Sequence, residues 1–206
     1  MNKVETMVMA LVFGAVLPIF LFLAGWWSSI GLVSDNLIFI IALTCLSLGI
    51  VIDILFLKEW LRNVYNTNWK LLIIIFLFYS ICTFGFFMGV PVFNLMIGIM
   101  AGIFVGRKLY HDKKSITQVR CNIKKTSIVT TIVIVTISLA SAFFALRDPM
   151  DTARNLEGMF HHQSFSITTL MIIGIIVIGA FVLALSQYWL TKTAALTTFN
   201  HGKHNY

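Results

Sequence analysis

The sequence predicts an all-α integral membrane protein: six transmembrane helices in three helical hairpins, with both termini cytoplasmic. Three observations carry this. First, 59% of the 206 residues are hydrophobic and only 11% are charged, whereas soluble domains have about 45–50% and about 25%. Second, the apolar residues gather into six runs, at 7–27, 37–57, 70–88, 90–106, 127–146 and 166–190. A run of roughly 20 such residues crosses a bilayer. Third, the cations are distributed very unevenly among the segments between the runs. Mean hydropathy is +0.92.

The first run, 7–27, reads as a retained span. Lys3 and Glu5 precede it, it is too long for a signal-peptide core, and no small-x-small cleavage site comes before Trp26 and Trp27. The second run, 37–57, contains Asp53, the one charge in the interior of a span, Lys70 standing at the edge of the third. Residues 70–106 are either one long broken span or two short ones. Two spans need a turn at Met88-Gly89-Val90-Pro91. Glycine tolerates tight-turn backbone angles, and proline suits the first turn of a helix. The longest polar stretch, 107–126, is too short to bury a core of its own. Residues 1–206 are therefore expected to form a single transmembrane domain. The fifth run, 127–146, is rich in Ser and Thr, with Thr131, Ser138 and Ser141 roughly on one side.

Between the fifth and sixth runs, a short interfacial helix is expected over about 149–157. Asp148 suits the N-cap, Pro149 the first position, Asp151 the first turn and Gly158 the C-cap. Met150, Ala153, Leu156 and Met159 form its apolar underside. Arg147–Asp151 and Arg154–Glu157 are spaced for ion pairs. The sixth run, 166–190, holds Gln187 near its inner end.

Orientation follows from Lys and Arg. Lys3, then Lys58, Arg62 and Lys70, then Arg107, Lys108, Lys113, Lys114, Arg120, Lys124 and Lys125, and finally Lys192 and Lys203 fall on one side. Only Arg147 and Arg154 fall on the other. Cytoplasmic loops are the cation-rich ones, and this balance also selects two spans over one for 70–106. The net charge of +7 is thus a topology signature and no nucleic-acid footprint. The partners it implies are the lipid bilayer, anionic headgroups at loops 58–70 and 107–125, and a protein partner on the cytoplasmic or membrane side. The expected location is the plasma or inner membrane. Trp26 and Trp27 mark the outer interface; Trp60, Trp69, Tyr110, Tyr188 and Trp189 mark the inner one.

Candidate functional residues fall into three groups. Gly98, Gly102 and Gly106 are spaced by four, with Asn94 in register. Such a stripe lets two helix backbones approach closely, or it lines a cavity. Asn94, Gly85, Gly89 and Asp53 are the candidate ligand-binding residues. An intramembrane amide needs partners, and an intramembrane carboxylate marks a functional site unless it is paired; Arg62 and Lys70 are candidate partners for Asp53. The third group, Asp148, Asp151, Glu157, His161 and His162, has the donor types of a divalent metal or an acid/base pair.

No cofactor is expected. No span contains a histidine for bis-histidine haem or, in its interior, a lysine for retinal, and no HExxH or nucleophile elbow occurs. Cys45, Cys82 and Cys121 show no motif spacing and read as free thiols. No internal repeat is visible. In size and topology alone, the chain resembles the substrate-binding membrane subunits of vitamin uptake transporters. The leading functional expectation is a small-solute transporter or substrate-binding membrane subunit with an outward-facing cavity. One alternative is a structural or accessory subunit of a membrane complex without a ligand. The other is a membrane enzyme with its site in loop 147–165.

Overall fold

The computed structural model describes residues 3–87, 89–160 and 167–204. Among these residues there are only helices and turns: α1 (Lys3–Gly14), α2 (Val16–Ser29), α3 (Asp35–Arg62), α4 (Trp69–Phe86), α5 (Asn94–His111), α6 (Ile116–Arg147), α7 (Pro149–Phe160) and α8 (Thr169–His204), with 3-10 turns at Val64–Asn66 and Pro91–Phe93. Six helical stretches are long and apolar enough to cross a membrane: Thr6–Ser29, Asp35–Arg62, Trp69–Phe86, Pro91–His111, Ile116–Arg147 and Thr169–Gly202. Large side chains such as Ile54, Phe86 and Leu170 point outward from them, a surface suited to lipid rather than water.

Several helices outrun their apolar segments. The polar stretch 107–126, expected as a loop, is helical except for a link at 112–115. The cause is a capping box. Ser115 Oγ accepts the Gln118 backbone N–H, and the Gln118 side chain accepts the Ser115 N–H. This satisfies two of the donors that a helix start leaves orphaned, so α6 begins well before its greasy section. In α7, Asp148 Oδ1 accepts the Asp151 N–H at 3.1 Å and Pro149 is the first helical residue. Gly158 does not end α7, which runs on to Phe160. Nothing lies within 4 Å of a Cβ placed on Gly158, so no packing demands a terminator there.

One apolar run is split. α1 stops at Gly14 and α2 starts at Val16. Pro18 has no N–H, so the Gly14 carbonyl four residues earlier loses its helical donor. The break is local: Ala15 still donates to the Leu11 carbonyl, and Ile19 to that of Ala15, each at 3.2 Å.

The chain clusters into two compact units, Met1–Ile75 and Phe76–Tyr206. In the first, α1 and α2 pack antiparallel along α3. A Cβ built on Gly25 would lie 2.8 Å from Cys45 Sγ, one on Gly49 would lie 2.6 Å from Pro18 Cα, and one on Gly14 would lie 3.3 Å from Leu57 Cδ2. In the second unit, α5 packs on α8 and both pack on α6, around buried Val105, Leu109, Val119, Ile123, Ala195 and Phe199. The α5–α8 pair is parallel, with a constant register. A Cβ on Gly98 would collide with the Gln187 amide, and one on Gly106 with the Ala195 carbonyl. One on Gly102 would sit 2.5 Å from the Thr191 carbonyl oxygen. The stripe therefore touches a helix, and the helix is α8.

A backbone obstacle cannot swing aside as a side chain can. Gly102→Ala is expected to destabilise the purified protein by roughly 1–3 kcal/mol, the usual overpacking range. Gly85→Ala, whose Cβ would meet nothing within 4 Å, is expected to be neutral or to stabilise by up to about 1 kcal/mol. Unfolding midpoints in detergent measure both.

Candidate functional site

Buried polar side chains occur at separate places in the two units. In the second unit they gather along the glycine stripe. Gln187 Nε2 donates to Thr191 Oγ1 at 2.7 Å, and Thr191 Oγ1 donates to the Gly98 carbonyl at 3.2 Å. Thr130 Oγ1 lies 3.2 Å from Thr191 Oγ1 and 3.0 Å from the Ser127 carbonyl, and its one proton is shared between these acceptors. This node ties α5, α6 and α8 together at the level where Gly98 leaves room for Gln187. Away from water such bonds have no solvent competitor, yet each contributes only about 0.6 kcal/mol on average in membranes.

Asn94 stands one turn before Gly98. Its Nδ2 donates to the Ser80 carbonyl at 2.9 Å, joining α5 to α4, where Ser80 is the one buried residue. Asn94 Oδ1, Ser80 Oγ and Ser138 Oγ are buried without a hydrogen-bond partner among the described residues. The other hydroxyls of α6 mostly bond back to their own helix. Ser127 donates to the Ile123 carbonyl, Thr131 to that of Ser127 and Thr136 to that of Ile132.

The remaining candidates of the second unit do not assemble into a cavity wall with Asn94. Gly85 faces open space. Gly89 has φ +84° and donates its N–H to the Phe84 carbonyl at 2.8 Å, so it shapes the turn after α4. Asp53 belongs to the first unit.

The acidic residues of 147–165 have local structural jobs. Asp148 caps α7, Asp151 Oδ2 accepts from Asn155 Nδ2 at 3.4 Å, and Glu157 Oε1 accepts the Ile167 N–H at 2.7 Å. The expected Arg147–Asp151 and Arg154–Glu157 ion pairs do not form. Exposed pairs gain little, and amide donors are nearer. His161 and His162 lie outside the described residues. Among the described residues, no group of three His, Cys, Asp or Glu comes together as a metal site would require.

Asp53, in the first unit, stands apart. It is 7% exposed, and its Oδ1 has no hydrogen-bond partner among the described residues. No ion pair joins it to Arg62 or Lys70. Arg62 lies more than two turns further along α3, Lys70 is at the start of α4, and Lys58 is exposed. Across the helix contact Gly14 faces it: a Cβ there would lie 3.5 Å from Asp53 Oδ2. The carboxyl is thus seated against the C-terminal end of α1. The glycines that bring these helices together, Gly14, Gly25 and Gly49, were not singled out as a set by the sequence pattern. Their spacing is not a uniform four, and the signal is visible only when Ala42, Cys45, Gly49 and Asp53 are read as one face of α3. Comparison with known families, curated proteins and solved structures finds no match.

Thr191 is the shared acceptor of the α5–α6–α8 node. Thr191→Val keeps the shape and leaves Gln187 Nε2 unpaired, so a loss of about 1–3 kcal/mol is expected. Thr136→Val, on an exposed helix face, is expected to change the unfolding midpoint by less than a third as much.

Proposed function

We propose that the chain is a small multi-pass transporter, or the solute-binding subunit of one, in the cell membrane, and that its working residue is Asp53. The observation that carries this reading is a buried carboxyl inside an apolar helix whose Oδ1 has no hydrogen-bond partner among the described residues. Ionisable groups are costly at membrane depth and persist there mainly on ion, proton or substrate paths. Of the four candidate ligand-binding residues, Asp53 is the one this reading keeps: α8 occupies the Gly98–Gly106 face, which supports a packing role for it.

The proposed topology is six spans with both termini and the two basic segments in the cytoplasm. The cation distribution supports it. Cys121 is exposed and would then face inward.

A second reading, an accessory subunit without a solute, is favoured by the close-packed stripe and by the hydrogen-bonded node behind it. The two readings differ at one residue. In cells producing the protein, untargeted mass spectrometry is expected to find a small solute whose uptake rises, and Asp53→Asn at equal membrane abundance returns it to the level of cells without the protein. Identical solute profiles for wild type and Asp53→Asn would leave the accessory reading. Separately, Cys121 is expected to resist a membrane-impermeant maleimide in intact cells and to react after permeabilisation; labelling in intact cells overturns the orientation.

A further inference from the structure

We infer that the exposed face of α6 binds an anionic phospholipid, its phosphate held by Lys124 and Lys125 and its acyl chains laid along Ile128, Ile132 and Leu139. The site rests on the membrane-spanning reading and is independent of any carried solute.

α6 is one unbroken helix from Ile116 to Arg147. Ile123, Ser127, Thr130 and Ile134 are buried along one side of it, and α5 and α8 pack on it. Residues three, four and seven apart share a helix face. On another face Lys124 and Lys125 are exposed, and Ile128, Ile132 and Leu139 follow them in register at 41%, 59% and 66% exposure. This face changes from cationic to apolar within one turn, where the apolar run begins at 127. A phospholipid has the same layout, an anionic head on apolar chains. A soluble acidic protein or a nucleic acid would match the lysines and leave the isoleucines uncovered.

The lysines have no competing counter-charge. Among the described residues neither is in an ion pair. α5 and α8 carry no acidic residue, and Asp112 is the only acid between Glu59 and Asp148. Arg120 is exposed one turn before Lys124, and Lys113 and Lys114 are exposed in the 112–115 link. Cation clusters of this size immediately beside a span recognise anionic headgroups, and lysine stems can rest on apolar surface while the ammonium stays at headgroup level.

Orientation alone does not require this placement. Cations anywhere in the link would serve the positive-inside balance. Lys124 and Lys125 instead stand on a helix whose buried side is fixed by Val119 and Ile123 against Leu109, Ala195 and Phe199.

The test uses the purified full chain in detergent. It is mixed with equal amounts of phosphatidylglycerol and phosphatidylcholine carrying the same chains, and retained lipid is counted by native mass spectrometry. Wild type is expected to favour phosphatidylglycerol by roughly fivefold or more. Lys124→Gln combined with Lys125→Gln is expected to retain both lipids equally, and Lys124→Arg with Lys125→Arg to keep the preference. Lys58→Gln with Lys70→Gln removes the same charge from 58–70 and is expected to leave the preference unchanged. Equal retention by wild type overturns the site. An equal loss of preference in the two Gln pairs also overturns it, since net charge would then be the cause. Inorganic phosphate in excess is expected to leave the retained lipid in place; phosphate that displaces it marks a site for soluble anions and overturns the lipid assignment. A chain that purifies without detergent overturns the membrane reading and the lipid site together, whereas retained lipid without headgroup preference overturns the site alone.

Discussion

Both units depend on helix backbones coming closer than side chains normally permit. At Gly49 the opposing atom is Pro18 Cα, and at Gly102 and Gly106 it is a carbonyl oxygen of α8. A single methyl group at these positions would have to push backbone aside. Lipid tails are as apolar as leucine, so helices in a bilayer gain nothing by hiding leucine from water. Association then comes from dispersion between closely fitted surfaces, and glycine gives the closest fit. The parallel register of α5 on α8 follows from this spacing: one step of four along α5 meets one step of four along α8.

Close approach also decides which polar groups are satisfied. Where Gly98 opens a space, the Gln187 amide enters it, reaches Thr191, and through Thr191 reaches the Gly98 carbonyl. Most Ser and Thr hydroxyls need no neighbour, since they bond to a carbonyl one turn back. Asp53 has neither recourse. It is too short to reach the exposed end of its helix, and among the described residues no cation pairs with it. Gly14, which lets α1 approach α3, lies against Oδ2, and Oδ1 is buried without a hydrogen-bond partner among the described residues.

Much of the fold was legible in the amino-acid sequence. Six apolar runs correspond to the six long apolar helices because their length and composition leave few alternatives. The four-residue glycine spacing pointed to helix packing, and α8 occupies that face. Helix ends were less legible, for a specific reason: hydropathy falls off at 127, but the Ser115–Gln118 capping box starts α6 at Ile116 regardless of hydropathy. Gly158 misled in the opposite sense, since glycine ends a helix only where a turn uses its freedom, as at Gly89. The partner of the stripe could not be read at all. Choosing α8 rather than the sequence-adjacent α4 depends on Gln187, Thr191 and Ala195 lying on one face, a pattern that has meaning only beside α5. The situation of Asp53 was half legible. Its placement in a span was plain, but its lack of a partner and its seat against Gly14 emerge only when α1 is packed on α3.

The central claim is that the stripe of α5 closes on α8 within one chain. A disulfide tests it directly. A Cβ on Gly102 would lie 3.3 Å from Ala194 Cβ, close to the spacing of about 3.5–4.5 Å found in disulfides. With Cys45, Cys82 and Cys121 replaced by serine, Gly102→Cys and Ala194→Cys are combined, and a protease site is placed in the 112–115 link. After oxidation and cleavage, the account predicts that the two fragments stay joined until reductant is added. Fragments that separate without reductant, or covalent dimers of the uncut chain in their place, would contradict it.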